Sequence, residues 1–138
     1  MNEQILDYVN SQSIAVLAVQ MPDNAPHAAT MHFGFLENPN RFIVVTNKDS
    51  KKCIPLLRGE TANASFVIGQ SEADMKSLQM DGVVEMATDE SVSEEFFAKF
   101  PDKKGRYNSE TDAILVFTPT WWRYSDYKNS NDKLIIES

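Results

Sequence analysis

Apolar positions along this chain fall mainly into short runs bounded by turn-forming residues, the rhythm of strands, and only three brief stretches carry helical spacing. Residues 3–9 set Ile5, Leu6 and Val9 on one helical face, with acidic and amide residues near the start, where the helix dipole favours them. Ser11-Gln12-Ser13 breaks that helix. Ile14 to Val19 is then almost continuously apolar, the pattern of a strand buried on both faces. After the turn Met21-Pro22-Asp23-Asn24, Pro26 to Phe35 predicts a second strand. Alternation places Ala28, Thr30, His32 and Gly34 on a small, polar face, and Ala29, Met31, Phe33 and Phe35 on a bulky core face. Glu37-Asn38-Pro39-Asn40 leads into a third strand around Phe42–Val45, so the first three strands predict an antiparallel meander.

Cys53 to Arg58 predicts a short helix with Pro55 in its first turn and Gly59 at its end. Thr61 to Ile68 alternates loosely and predicts a fourth strand; Lys76 to Thr88 predicts a long fifth. Within the fifth, Asp81-Gly82 permits a hairpin or a bulge. Val83-Val84-Glu85-Met86 runs on without an opposing partner, which favours a glycine bulge that bends the strand toward barrel closure. The clearest helix is capped by Ser91 or Ser93, carries Glu94 and Glu95 in its first turn, buries Phe96, Phe97 and Phe100, and stops at Pro101. The last long strand runs from Ala113 to about Tyr127, with Pro119 marking a bend or edge. Trp121 and Trp122 point to its opposite faces, one toward the core and one toward an interface. Lys128 to Lys133 has a disorder-like composition, and Leu134-Ile135-Ile136 is apolar enough to dock as a terminal strand. The expected fold is α+β, mainly β: one domain over residues 1–138, a six-stranded antiparallel barrel with a few short helices and a partly flexible tail at 128–138.

Composition narrows the function. Apolar residues make up 42% and charged residues 24% of the 138, an ordinary globular balance. A net charge of -7, with no long cluster among the 13 cations, argues against a nucleic-acid backbone as partner, which needs a basic face. No apolar run approaches the roughly 20 residues of a membrane span, and the start Met-Asn-Glu-Gln-Ile-Leu-Asp is not that of a signal peptide, so a cytoplasmic setting without membrane contact is expected. The single cysteine, Cys53, rules out an internal disulfide and fits a reducing compartment. His27, His32 and Cys53 match no zinc spacing, and no Gly-x-Gly-x-x-Gly, Walker lysine loop or Gly-x-Ser-x-Gly elbow is present.

The stretch with chemistry is Arg41 to Lys52. Where its strand ends, Thr46, Asn47, Ser50, Lys51 and Lys52 assemble two hydroxyls, an amide and two ammonium groups. Such a junction suits a phosphate monoester; the competing reading is a helix cap at Ser50 or Asp49 beside solvated lysines. The order of elements, with Thr-Asn-x-x-Ser-x-Lys after the third strand, a Gly-bearing fifth strand, a Phe-rich helix and paired tryptophans, resembles the pyridoxamine 5'-phosphate oxidase-like superfamily of FMN-binding split β-barrels, from about Glu3 to Tyr127.

That resemblance implies FMN as cofactor, its phosphate held by Thr46, Asn47, Ser50, Lys51 and Lys52. It places the strand around Pro26–Met31 beneath the isoalloxazine, with Thr30 and His32 at the site. His32 would bond either a flavin edge or a backbone carbonyl. The resemblance further implies a homodimer with the flavin at its interface, approached across it by Gln79 and Trp122 (or Trp121), and redox chemistry on an unidentified small molecule, with no catalytic side chain assigned. Members that oxidise pyridoxamine phosphate carry an arginine and a lysine on the second strand, where this chain offers Ala28, Ala29, His32 and Gly34. They also carry a C-terminal substrate-binding segment, where this sequence reads Leu-Ile-Ile-Glu-Ser, so vitamin B6 oxidation is not expected. A non-catalytic module storing or sensing a flavin or another ligand is the rival expectation, and relatives use deazaflavin or haem.

Overall fold

The structure, a computed structural model, describes residues 1–128 and 134–138. Among these, eight strands form one antiparallel sheet: β1 (Ile14–Gln20), β2 (Pro26–His32), β3 (Gly34–Leu36), β4 (Arg41–Asn47), β5 (Ala62–Ile68), β6 (Lys76–Met86), β7 (Asp112–Asp126) and β8 (Leu134–Glu137). Their spatial order is β2-β1-β5-β6-β7-β4-β3, with β8 on β7. The strands at the two ends of that order, β2 and β3, are separated in the chain by Phe33 alone. The sheet therefore curls until its ends meet at this residue, as a split barrel. Eight strands replace the six expected: the predicted second strand is broken at Phe33, and the C-terminal segment pairs with β7.

Residue sizes explain the break. Phe33 is fully buried, and the next residue is a glycine over which Phe96 lies so closely that a Cβ on Gly34 would stand 2.8 Å from its Cα. Inside the barrel the rings of Phe33, Phe42, Phe66 and Phe117 lie with centroids 5.0 to 6.3 Å apart, the separations aromatic pairs prefer. Helix α1 (Glu3–Ser11) closes one end with Ile5, Tyr8 and Val9; Tyr8 takes the buried place expected for Leu6, and its hydroxyl donates to the Lys76 carbonyl at 3.2 Å. A 3-10 helix, Lys51–Leu56, closes the other end against β1, β2 and β6. Gly59, at φ +74°, stops the chain just beyond it.

A second, smaller core lies outside β4 and β7. There Phe96 and Phe97 of α2 (Glu94–Lys99) cover Ile43, Ile114 and Val116, so the middle of β4 and the first third of β7, Ala113 to Phe117, are buried on both faces. β1 is not, contrary to expectation. Ala15, Leu17 and Val19 are buried, whereas Val16 and Ala18 are partly open and Ile14 is 40% exposed, because no layer of the described residues covers that outer face. β5 alternates cleanly, with Ala62, Ala64, Phe66 and Ile68 inward.

Two local expectations change in detail. The irregularity at Asp81-Gly82 is a bulge, but the extra residue belongs to the opposing strand: Asp81 pairs Trp121 and Gly82 pairs Pro119, leaving Thr120 between them. Pro119 has no N–H to lose there. Ser93 occupies the N-cap position of α2, but its side chain makes no capping bond. Asp89 caps a preceding 3-10 turn (Glu90–Ser93) by accepting from the Ser91 N–H at 2.9 Å, and the Ser93 hydroxyl donates back to Glu90. Pro101 opens a further short helix, α3 (Pro101–Lys104). Of the predicted flexible stretch 128–133, residues 129–133 lie outside the described residues.

Candidate functional site

β4 ends at Asn47, whose side-chain oxygen accepts from the Asp49 N–H at 2.8 Å while its carbonyl accepts from the Ser50 N–H at 3.0 Å. This Asx turn delivers Ser50 back beside Thr46. Ser50 occupies the N-cap position of the 3-10 helix but does not cap it. Its hydroxyl instead accepts from Thr46 Oγ1 at 3.3 Å and lies 3.4 Å from Cys53 Sγ. The cap reading of Ser50 therefore fails in favour of a hydroxyl cluster.

Lys52 is 7% exposed. Among the described residues the one ion pair is Arg123–Glu137, so no carboxylate neutralises Lys52, and its ammonium forms no hydrogen bond there. Burial pulls its pKa below the ordinary lysine value, with the neighbouring Cys53 opposing. A largely buried lysine without a hydrogen-bond or ion-pair partner, two residues after Ser50, sets a cation close in the chain to the two bonded hydroxyls, groups of the kind that bind anions. Lys51 is exposed, and Lys48 turns away, donating to the Ser109 carbonyl at 2.8 Å. The structure thus brings together Thr46, Asn47, Ser50 and Lys52, with Lys51 at the rim.

The remaining predicted residues lie elsewhere. Thr30 and His32 are exposed on the outer face of β2, opposite Val16 and Ile14. His32 sits at the α1 end, its ring centroid 5.0 Å from that of Phe100 in an edge-to-face arrangement, and its pKa is lowered by desolvation first and then by Lys103 and Lys99. Gln79 is exposed between Val67 and Arg123. Trp122 pairs Met80 and leans on the core, so the outward tryptophan is Trp121, beside Asp81. From Gln79 to Met86, where β6 nears the level of Thr46, the strand takes seven steps (86 minus 79), roughly 24 Å at about 3.4 Å each. Within one chain Gln79 and Trp122 do not join the Thr46–Lys52 cluster.

Two rows of side chains cross this outer face: Thr30, Val16, Val67, Gln79 and Arg123, then Ala28, Ala18, Ser65, Asp81 and Trp121. The second is small at Ala28, Ala18 and Ser65, and Ala18, Pro26, Ser65 and Gly82 are among the residues lining a depression of about 380 Å³. Sequence reading missed two residues. Cys53 links Ser50 to Asn47, and its only signal is its place one turn after Ser50. Lys99 lies 4.4 Å from the Phe33 ring centroid and donates to the Gln12 carbonyl, its pKa lowered by burial; nothing in its local pattern marks it. No group of three or more metal-ligating side chains occurs among the described residues, and none of their helices is long and apolar enough to cross a membrane.

Known proteins share this architecture. General stress protein 26 from Bacillus anthracis str. Sterne superposes with a TM-score of 0.69 at 18% identity, covering 97% of each chain. A putative pyridoxamine 5'-phosphate oxidase from Listeria innocua gives 0.69 at 20% identity, over 88% of this chain and 95% of its own. HutZ, the heme storage protein from Vibrio cholerae, gives 0.65 at 14% identity, over 84% and 87%. At these identities the likeness is one of fold. No curated protein matches in sequence. The sequence profile described as Pyridoxamine 5'-phosphate oxidase, however, matches residues 1–126, and the chain belongs to that family.

Proposed function

We propose that this chain is an FMN-binding flavoprotein whose cofactor sits between two copies of the subunit and which carries out redox chemistry on a small molecule. The observation that carries the reading is the pair of hydroxyls Thr46 and Ser50, bonded to each other at the end of β4, followed in the chain by Lys52, a largely buried lysine without a hydrogen-bond or ion-pair partner among the described residues. Thr46, Ser50, Lys51 and Lys52 would hold the phosphate, with the Asn47 turn fixing their spacing. The ring would lie on the outer face of β2 near Thr30 and His32, with Gln79 and Trp122 or Trp121 supplied by the second copy. FMN, when bound, supplies the electron transfer itself. The chain's residues anchor the phosphate by charge-assisted hydrogen bonds, admit a flat ring through the small side chains Ala18 and Ala28, and exclude water by pairing their outer faces. A dimer also answers the open apolar face of β1. Ala28, Ala29 and Gly34 offer no cation for a substrate phosphate, which argues against pyridoxamine phosphate as substrate.

Haem is the second reading, favoured by the exposed His32 on that face. Its lowered pKa keeps the imidazole neutral near pH 7, the form that ligates iron.

The test is gel filtration of the purified protein with excess FMN, read by absorbance, for wild type and a Ser50→Ala, Lys52→Met double variant. Co-elution of FMN with a dimer, and a Kd at least about 100-fold weaker in the variant, is expected. Bleaching of the bound flavin by a reduced nicotinamide supports an enzyme; flavin that stays oxidised supports a storage or sensing module. Failure of the wild type to retain FMN sinks the flavin reading, and uptake of hemin that depends on His32 replaces it.

A further inference from the structure

We infer that Cys53 is a positioning residue of the phosphate cluster, holding the Ser50 hydroxyl, and through it Thr46, where an anion must find them. This rests on the anion-site reading of Thr46–Lys52 proposed above and adds a residue to it.

A cysteine that merely filled the core would need only carbon around it. Cys53 is fully buried, yet two oxygens lie within reach of its sulfur: Ser50 Oγ at 3.4 Å and the Asn47 carbonyl at 3.7 Å. The thiol has one proton. With that proton on the Asn47 carbonyl, the Ser50 contact has the hydroxyl donating to sulfur, and Thr46 donates to Ser50 in turn. The donors then form a one-way chain, Thr46 to Ser50 to Cys53 to the end of β4. Every hydroxyl orientation in it is set by the thiol at its foot.

Sulfur is a weak acceptor, and this decides the energetics. It holds Ser50 in one rotamer but costs little to leave, so a phosphate oxygen, a far stronger acceptor, can draw the Ser50 and Thr46 protons to itself. Alanine at position 53 would leave Ser50 free to rotate, and the phosphate would have to order it. The independent sign of a ligand is Lys52, 7% exposed, without a partner among the described residues, and close enough to Cys53 to interact with it electrostatically.

The experiment compares FMN with riboflavin, which has the ring and no phosphate, on wild type, Cys53→Ala and Cys53→Ser. The expected result is a Kd for FMN about fivefold weaker in Cys53→Ala, largely recovered in Cys53→Ser, with riboflavin unchanged in both. Equal weakening of the two flavins would reduce Cys53 to a core residue, and no change in either would also overturn the inference. If wild type binds neither flavin, the flavin reading fails separately and inorganic phosphate becomes the probe. A phosphate-induced rise in Tm present in wild type and absent in Cys53→Ala then upholds the role of Cys53; no rise in wild type ends it.

Discussion

If Lys52 holds a phosphate as proposed, stability and binding pull in opposite directions there. Its folded pKa lies below the unfolded value, so the charged form is disfavoured by folding. The native state therefore gains stability as pH rises from the lowered value toward 10.5, while affinity for a phosphate dianion falls over the same window as the ammonium is lost. Lys52→Met should raise the Tm of the ligand-free protein by about 3 °C and abolish the stabilisation that FMN confers, checked by paired thermal melts. His32 follows the same sign at lower pH: its imidazole should titrate below 6.5 by NMR, and replacing Lys103 with Gln should move that value upward. The grouping of Thr46, Asn47 and Ser50 at the end of β4 was legible in the sequence because hydroxyls, amide and cations sit within seven residues, Thr46 to Lys52. What Ser50 does with its hydroxyl was not legible, because a cap and a cluster share one sequence pattern and differ only in a rotamer. Lys99 was invisible for another reason: its partners, Phe33 and the Gln12 carbonyl, are brought to it by tertiary packing alone.

At the scale of elements, two glycines mark places where backbones touch. A Cβ on Gly82 would come within 2.2 Å of the Thr118 carbonyl oxygen, which belongs to a paired strand and cannot yield. Gly82→Ala should lower stability by about 3 kcal/mol, seen as a Tm drop on the order of 10 °C in a calorimetric scan. Gly34→Ala meets the Phe96 backbone instead, and should loosen α2 first, detectable as faster amide exchange across Phe96–Phe100 with the barrel strands unchanged. Most strands were legible from alternation and turn residues, since period and punctuation are local. The bulge was placed at the right dipeptide but on the wrong strand. Asp-Gly advertises an irregularity, whereas which strand carries the surplus residue depends on register, here Asp81 opposite Trp121 and Gly82 opposite Pro119. The capping bond was expected at α2 and lies one turn earlier, because Asp89, Ser91 and Ser93 offer similar oxygens and only the path of the 3-10 turn makes Asp89 the one that accepts a backbone N–H.

For the whole molecule, the apolar run of β1 has a physical meaning that one chain does not satisfy: Val16, Ala18 and Val67 face outward and only partly open. If two copies meet there, Val67→Glu should convert the protein to a monomer in sedimentation experiments and weaken FMN binding with it, while its far-ultraviolet circular dichroism stays that of the wild type. A variant that sediments like the wild type would sink the dimer. The run was read in the sequence as a strand buried on both faces, whereas its outer face is partly open, because an apolar run does not say which element, if any, covers each face. One feature of the connectivity reaches beyond the finished protein. β7 is the strand to which both β6 and β4 attach, so the first 111 residues can assemble only as two half-sheets, β2-β1-β5-β6 and β3-β4, joined through Phe33. On the ribosome the barrel cannot close until Asp126 has left the exit tunnel. Until then the nascent chain carries unpaired edges on β6 and β4, the condition that chaperones exist to shelter.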